Sequence, residues 1–107
     1  MKELREQIQQ LVSEELDRAN GKFGAFNSTH EGYAVILEET EEAEHDFQMI
    51  QWNMNELWMK VKSDEVTPRV ANDIKKYAIN LAAEAIQIAA MAEKFLILIE
   101  EGKGERR

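Results

Sequence analysis

The chain of 107 residues has no cysteine, one proline and five glycines. Without cysteine there are no disulfides and no thiolate metal sites, which fits a reducing, cytoplasmic setting. So little Pro and Gly excludes a loop-rich fold. Basic residues are scarce: 13 Lys and Arg stand against 21 Asp and Glu, for a net charge of −8. Phosphate backbones need a basic face, so a nucleic-acid polymer is excluded as the ligand. Solubility alone would account for the charge. A small phosphorylated ligand stays open if metal ions neutralise both sides. No apolar run is clean enough to span a membrane. Asn80–Ile99 has nearly the length, but Glu84, Gln87, Glu93 and Lys94 interrupt it. The charged N-terminus has no signal-peptide core.

What the sequence does contain is helix. At 44% hydrophobic and 32% charged residues it reads as one globular domain over 1–107. Leu4, Ile8, Leu11, Val12 and Leu16 place one apolar stripe on a helix from about Lys2 to Ala19, stopped at Asn20-Gly21. The loop Gly21–Asn27 carries Lys22, Phe23 and Phe26. Both Phe are expected to pack under the loop, since exposed Phe is costly; the competing role is to line a pocket and stack on a base.

Ser28-Thr29-His30-Glu31 is a capping box that starts a second helix. Its stripe is Tyr33, Ile36, Leu37, Ala43, Phe47, Ile50, Met54, Leu57, Trp58 and Val61, in phase to about Lys62. This is one long helix, or two with a break near Glu44–Phe47. Thr67-Pro68 starts the last helix, which runs to about Glu101, where Gly102 and Gly104 end it. The tail Lys103–Arg107 is expected to be disordered. The fold class is all-α, an antiparallel bundle of three to five helices. The last helix is apolar on two sides, through Leu81, Ala85, Ile88, Ala92, Phe95 and Ile99, and through Ile79, Ala82, Ile86, Ala90 and Ile97. That predicts a homodimer or homotetramer.

Two polar features interrupt this pattern. Glu38, Glu39 and Glu42 form Glu-Glu-x-x-Glu, with Glu31 and Asp46 on the same side. Glu39 and Glu42 are three apart, close enough to hold one hard cation; an acidic face in solvent is the plainer alternative. Glu84 and Gln87 lie one turn apart inside the apolar last helix. A carboxylate there is costly unless compensated. A cation shared with Glu39 and Glu42 would compensate it, as would a salt bridge to Lys22, Lys75 or Lys76. Asn80 shares that face and adds a neutral oxygen. His30 and His45 read as surface residues. Neither a catalytic triad nor a phosphate-binding glycine loop is present.

Glu38-Glu39-x-x-Glu42 followed by Glu84-x-x-Gln87 resembles the all-α nucleoside triphosphate pyrophosphohydrolases, the MazG-like and dimeric dUTPase-like superfamily. The stretches Phe26–Leu37 and Glu84–Ala92 look like a small branch of it found in phages and their bacterial hosts. The resemblance implies Mg²⁺-dependent hydrolysis of a nucleoside triphosphate to NMP and pyrophosphate, in nucleotide-pool cleaning. It implies Glu39, Glu42, Glu84 and Gln87 as metal ligands and Glu38 as the residue that positions or deprotonates water. Candidate substrate-binding residues are Lys22, Phe26, His30 and Asn80. The sequence departs from the family pattern twice. Gln87 stands where the family has Asp, and Glu44–Lys62 lengthens the gap between the motifs. The alternative is a catalytically weak nucleotide-binding protein, or a structural oligomer, of the same fold.

Overall fold

Ser28 opens the longest helix. Its Oγ accepts from Glu31 N–H at 3.1 Å, and the Glu31 carboxylate reaches back to accept from Asn27 N–H at 2.7 Å. One donor that a helix start leaves orphaned, Glu31 N–H, is thereby satisfied, and so is the N–H of Asn27 just before the cap. The structure, a computed structural model, describes residues 1–102. These form three α-helices: α1, Lys2–Phe23; α2, Thr29–Lys62; and α3, Pro68–Glu100. Gly104 and the tail expected to be disordered lie outside the described residues.

α2 runs unbroken through Glu44–Phe47 for 34 residues, so the expected break is absent. It holds no Gly or Pro after Gly32 that would interrupt the ladder. It ends in a Schellman turn. Asp64 takes a left-handed φ of 57°, Glu65 N–H donates to Lys60 C=O and Asp64 N–H to Val61 C=O. Thr67 then sits extended at the N-cap of α3 with Pro68 as the first helical residue, although the Thr67 side chain makes no capping hydrogen bond.

The stop expected at Asn20-Gly21 lies within the helix. α1 continues to Phe23 and ends at Gly24, whose φ of 75° suits glycine and whose N–H donates to Asn20 C=O at 2.9 Å. This extra turn separates the two loop phenylalanines. Phe26 is buried as expected, at 5% exposed; Phe23 is not, at 71%.

α2 and α3 form a long antiparallel hairpin, and α1 packs on α3 alone. α3 is thus contacted from two sides, but Ala85, Ala92 and Ile99 of one apolar stripe and Ile79 and Ala82 of the other remain exposed. The main core lies at the α1 end, where Ala19, Phe26, Ala90, Met91 and Leu98 meet Val12, Leu16, Val35, Ile36 and Phe95. Burying Phe26, Met91 and Leu98 contributes about 1.5–3 kcal/mol each. Gly32 allows the helices to close there. A Cβ on it would lie 2.5 Å from Phe95 Cδ2. At the far end Val70 is fully buried, and Arg69 pairs with Glu56 across the hairpin.

The inward face of α2 differs from the full stripe in the sequence. Ile36, Ala43, Ile50 and Leu57 turn partly inward together with Glu39, Asp46 and Asn53. Tyr33, Leu37, Phe47, Met54, Trp58 and Val61 remain exposed, as does Ile79 on α3. The radius of gyration is 18.1 Å, against about 13 Å for a compact chain of this length. The accessible area is 7909 Å², against about 6,100 Å² for a compact monomer of this mass.

Candidate metal centre

Halfway along the hairpin the apolar contact gives way to carboxylates. Glu39 and Glu42 project from one side of α2, a turn apart, and Glu84 meets them from α3. One carboxylate oxygen from each lies within 4.8 Å of those from the other two. Oxygens around one Mg²⁺, bonded at 2.0–2.1 Å, are at most about 4.2 Å apart. Small side-chain rotations therefore suffice to bring these three onto one ion. An all-oxygen donor set of this kind fits a hard divalent cation.

Gln87 closes the cluster. With its NH₂ group turned toward the acids, it donates to Glu39 Oε1 at 3.2 Å and to Glu84 Oε1 at 3.1 Å. The opposite amide orientation aims Oε1 at the same two oxygens, which is repulsive unless a cation lies between them. An amide can thus serve both conditions by rotating, which a carboxylate at this position could not do.

Three acids so close cannot all stay ionised easily. Burial, the charge of Glu42 and a hydrogen bond with Glu42 push Glu84 up to about 7, helped by Glu39 and Asp46. Glu39 is also raised, first by burial and then by Glu42, Glu38 and Glu15. None of the salt bridges considered for Glu84 forms; among the described residues the ion pairs are Arg18–Glu15, Arg69–Glu56 and Arg69–Asp73.

Two cavities flank the cluster. An open one of about 540 Å³ is lined by Glu38, Glu42, His45, Asp46, Asn80 and Glu84. An inner one of about 360 Å³ runs toward the α1 end past Glu38, Glu39, Gln87, Phe26, Met91 and Lys94. Glu38 is exposed and borders both. Asn80 lies on the open side and Phe26 walls the inner one. Lys22 and His30 are exposed, and neither borders these two cavities. Lys22 instead rests over Phe23, 5.3 Å from the ring centroid.

Two more residues border the site: Asp46, which the sequence placed on the acidic side without a role, and Lys94, which it did not connect with the site. Asp46 is 8% exposed on the α2 face beside Glu84. Lys94 is 6% exposed. Its signal was its register: it lies seven residues after Gln87, on the same face of α3. Comparison with protein-family models, curated proteins and solved structures finds no match to this chain.

Proposed function

We propose that the chain is a Mg²⁺-dependent nucleoside triphosphate pyrophosphohydrolase of the MazG-like type, releasing NMP and pyrophosphate in cytoplasmic nucleotide-pool cleaning. The observation that carries this reading is the convergence of Glu39, Glu42 and Glu84 from two helices. These three residues, with Gln87 through its amide oxygen, would hold the cation. Mg²⁺ there would neutralise phosphate charge and make water more acidic. Glu38, at the junction of the two cavities, accepts a proton from the water that attacks the α-phosphorus. The bond from the α-phosphorus to the bridging oxygen breaks, and pyrophosphate leaves with that oxygen. Phe26 and Asn80 contact the rest of the nucleotide.

The same reading includes a homodimer or homotetramer. What supports it is the apolar surface left on α2 and α3 and the extended single chain. The described residues hold no helix long and apolar enough to cross a membrane.

Gln87 favours a second reading, a nucleotide-binding protein with slow turnover. It supplies an amide where the family pattern has a charge, so the site holds three anions rather than four. Pyrophosphate release from a panel of nucleoside triphosphates, with Mg²⁺ and with EDTA, tests the first reading. No release with any nucleotide, alongside a ligand-induced thermal shift, would select the second.

A further inference from the structure

Lys94 is a buried cation for which the acidic cluster gives no account. It makes no hydrogen bond or ion pair among the described residues. Its Nζ lies 4.5 Å from the centroid of the Phe26 ring. That contact orients an ammonium without satisfying its three donors. Lys94 borders the inner cavity, whose volume of about 360 Å³ falls in the range of small-molecule sites.

Of the other ionic groups on that wall, all but the exposed Glu38 are engaged. Arg18 binds Glu15 through two hydrogen bonds, at 2.6 and 3.0 Å. Glu31 accepts from Asn27 N–H. Glu39 belongs to the carboxylate cluster. A largely buried lysine without a paired anion is costly, and none of the cavity's carboxylates forms an ion pair with Lys94.

The register of α3 says where a paired anion belongs. Glu84, Gln87, Met91 and Lys94 are spaced three, four and three apart and form one stripe. Gln87 and Lys94 are separated by about 10.5 Å along the axis. A helical side chain leans toward the N-terminus, which carries the lysine head toward Gln87. A ligand with several linked anionic groups bridges such a gap.

We propose that Lys94 is the anion anchor of the inner cavity, which takes a polyphosphate chain held at one end by the carboxylate cluster through a divalent cation and at the other by Lys94. The ligand class rests on the pyrophosphohydrolase reading; the need for an anion at Lys94 does not.

The test is calorimetric titration of the full chain with inorganic tripolyphosphate, with Mg²⁺ and with EDTA. The wild type binds weakly in EDTA and more tightly with Mg²⁺. Lys94→Met loses roughly 30-fold or more in affinity with Mg²⁺ and binds undetectably in EDTA. Lys94→Arg retains most of the affinity. Glu84→Gln loses only the gain due to Mg²⁺. Ligand-free Lys94→Met melts no lower than the wild type, because an apolar side chain of similar length replaces a buried charge. Should it not fold, Lys94→Gln carries the same measurement. Lys94→Met binding as tightly as the wild type with Mg²⁺ overturns the proposal, as does a wild type that binds tripolyphosphate in neither buffer. Lys94-dependent binding without pyrophosphate release from any nucleotide would leave the anchor standing and remove the hydrolase reading.

Discussion

Gln87 lies one turn beyond Glu84 on α3 and joins it to Glu39 on α2, its amide nitrogen 3.1 Å from one carboxylate and 3.2 Å from the other. One neutral side chain thus bridges two acids whose ionised forms repel each other. Its rotation exchanges a donor for an acceptor at the centre of the cluster.

That relationship fixes the outcome of two substitutions. Gln87→Asp adds an anion and removes the donor. Mg²⁺ affinity should rise on the order of 10-fold, and turnover at limiting Mg²⁺ should rise with it. Glu84→Gln removes a charge at nearly constant size, so metal binding and turnover should fall by ~10–100-fold while helical circular dichroism stays unchanged. Calorimetry with Mg²⁺ checks both. Wild-type metal binding by Glu84→Gln would exclude Glu84 as a ligand.

The protonation of Glu84 predicts how stability depends on pH. Its carboxyl is raised from 4.5 to about 7 in the fold, so between these values the folded chain binds more protons than the unfolded one. Stability therefore falls as pH rises through this window and levels above it. Without metal, the melting temperature should be higher at pH 5 than at pH 8, and Glu84→Gln should reduce that slope. Mg²⁺ competes with the proton, so its apparent affinity should increase from pH 6 to pH 8. A Glu84→Gln melting profile with the wild-type slope would place the titration elsewhere.

Gly32 sits where α2 meets Phe26 and Phe95. An alanine Cβ would lie 2.5 and 2.8 Å from two Phe95 ring carbons and 3.2 Å from Phe26 Cδ2. Alanine favours helix over glycine by about 1 kcal/mol, but displacing a packed ring costs about 1–3 kcal/mol. Gly32→Ala should thus lower stability by up to about 2 kcal/mol in urea unfolding. A more stable variant would show that Phe95 moves aside freely.

The exposed stripe of α2 makes a prediction about mass. The wild type should sediment as a dimer or tetramer, and the double change Met54→Glu with Trp58→Glu should reduce that mass to a monomer. Both side chains are at least half exposed in the single chain, so neither charge must be buried within it. Ile86, although on an apolar stripe of α3, suits this test poorly, since it is half-buried in the groove where α1 lies, near Leu11. A wild-type monomer at micromolar concentration would remove the oligomer from the proposal.

Local sequence determined the helices. Ser28 and Glu31, Thr67-Pro68 and the 3.6-residue periodicity act within a few residues, so they could be read without a fold. The spacing of Glu39 and Glu42 is local too, and so is that of Glu84 and Gln87. Which groups meet across helices was decided by the tertiary structure. Periodicity gave α2 apolar residues over a wide arc but not its inner edge: Ile36, Ala43, Ile50 and Leu57 turn toward α3, while Phe47, Met54 and Trp58 do not. The reason is that hairpin packing at Gly32 sets the rotation of α2, and that rotation brings Glu39, Asp46 and Asn53 inward as well. The end of α1 was likewise settled by Gly24, which accepts the left-handed turn that Asn20-Gly21 does not make. Lys94 reads as one polar interruption in an apolar helix. Phe26, delivered by the loop after α1, lies against its ammonium, a contact the sequence of α3 does not contain.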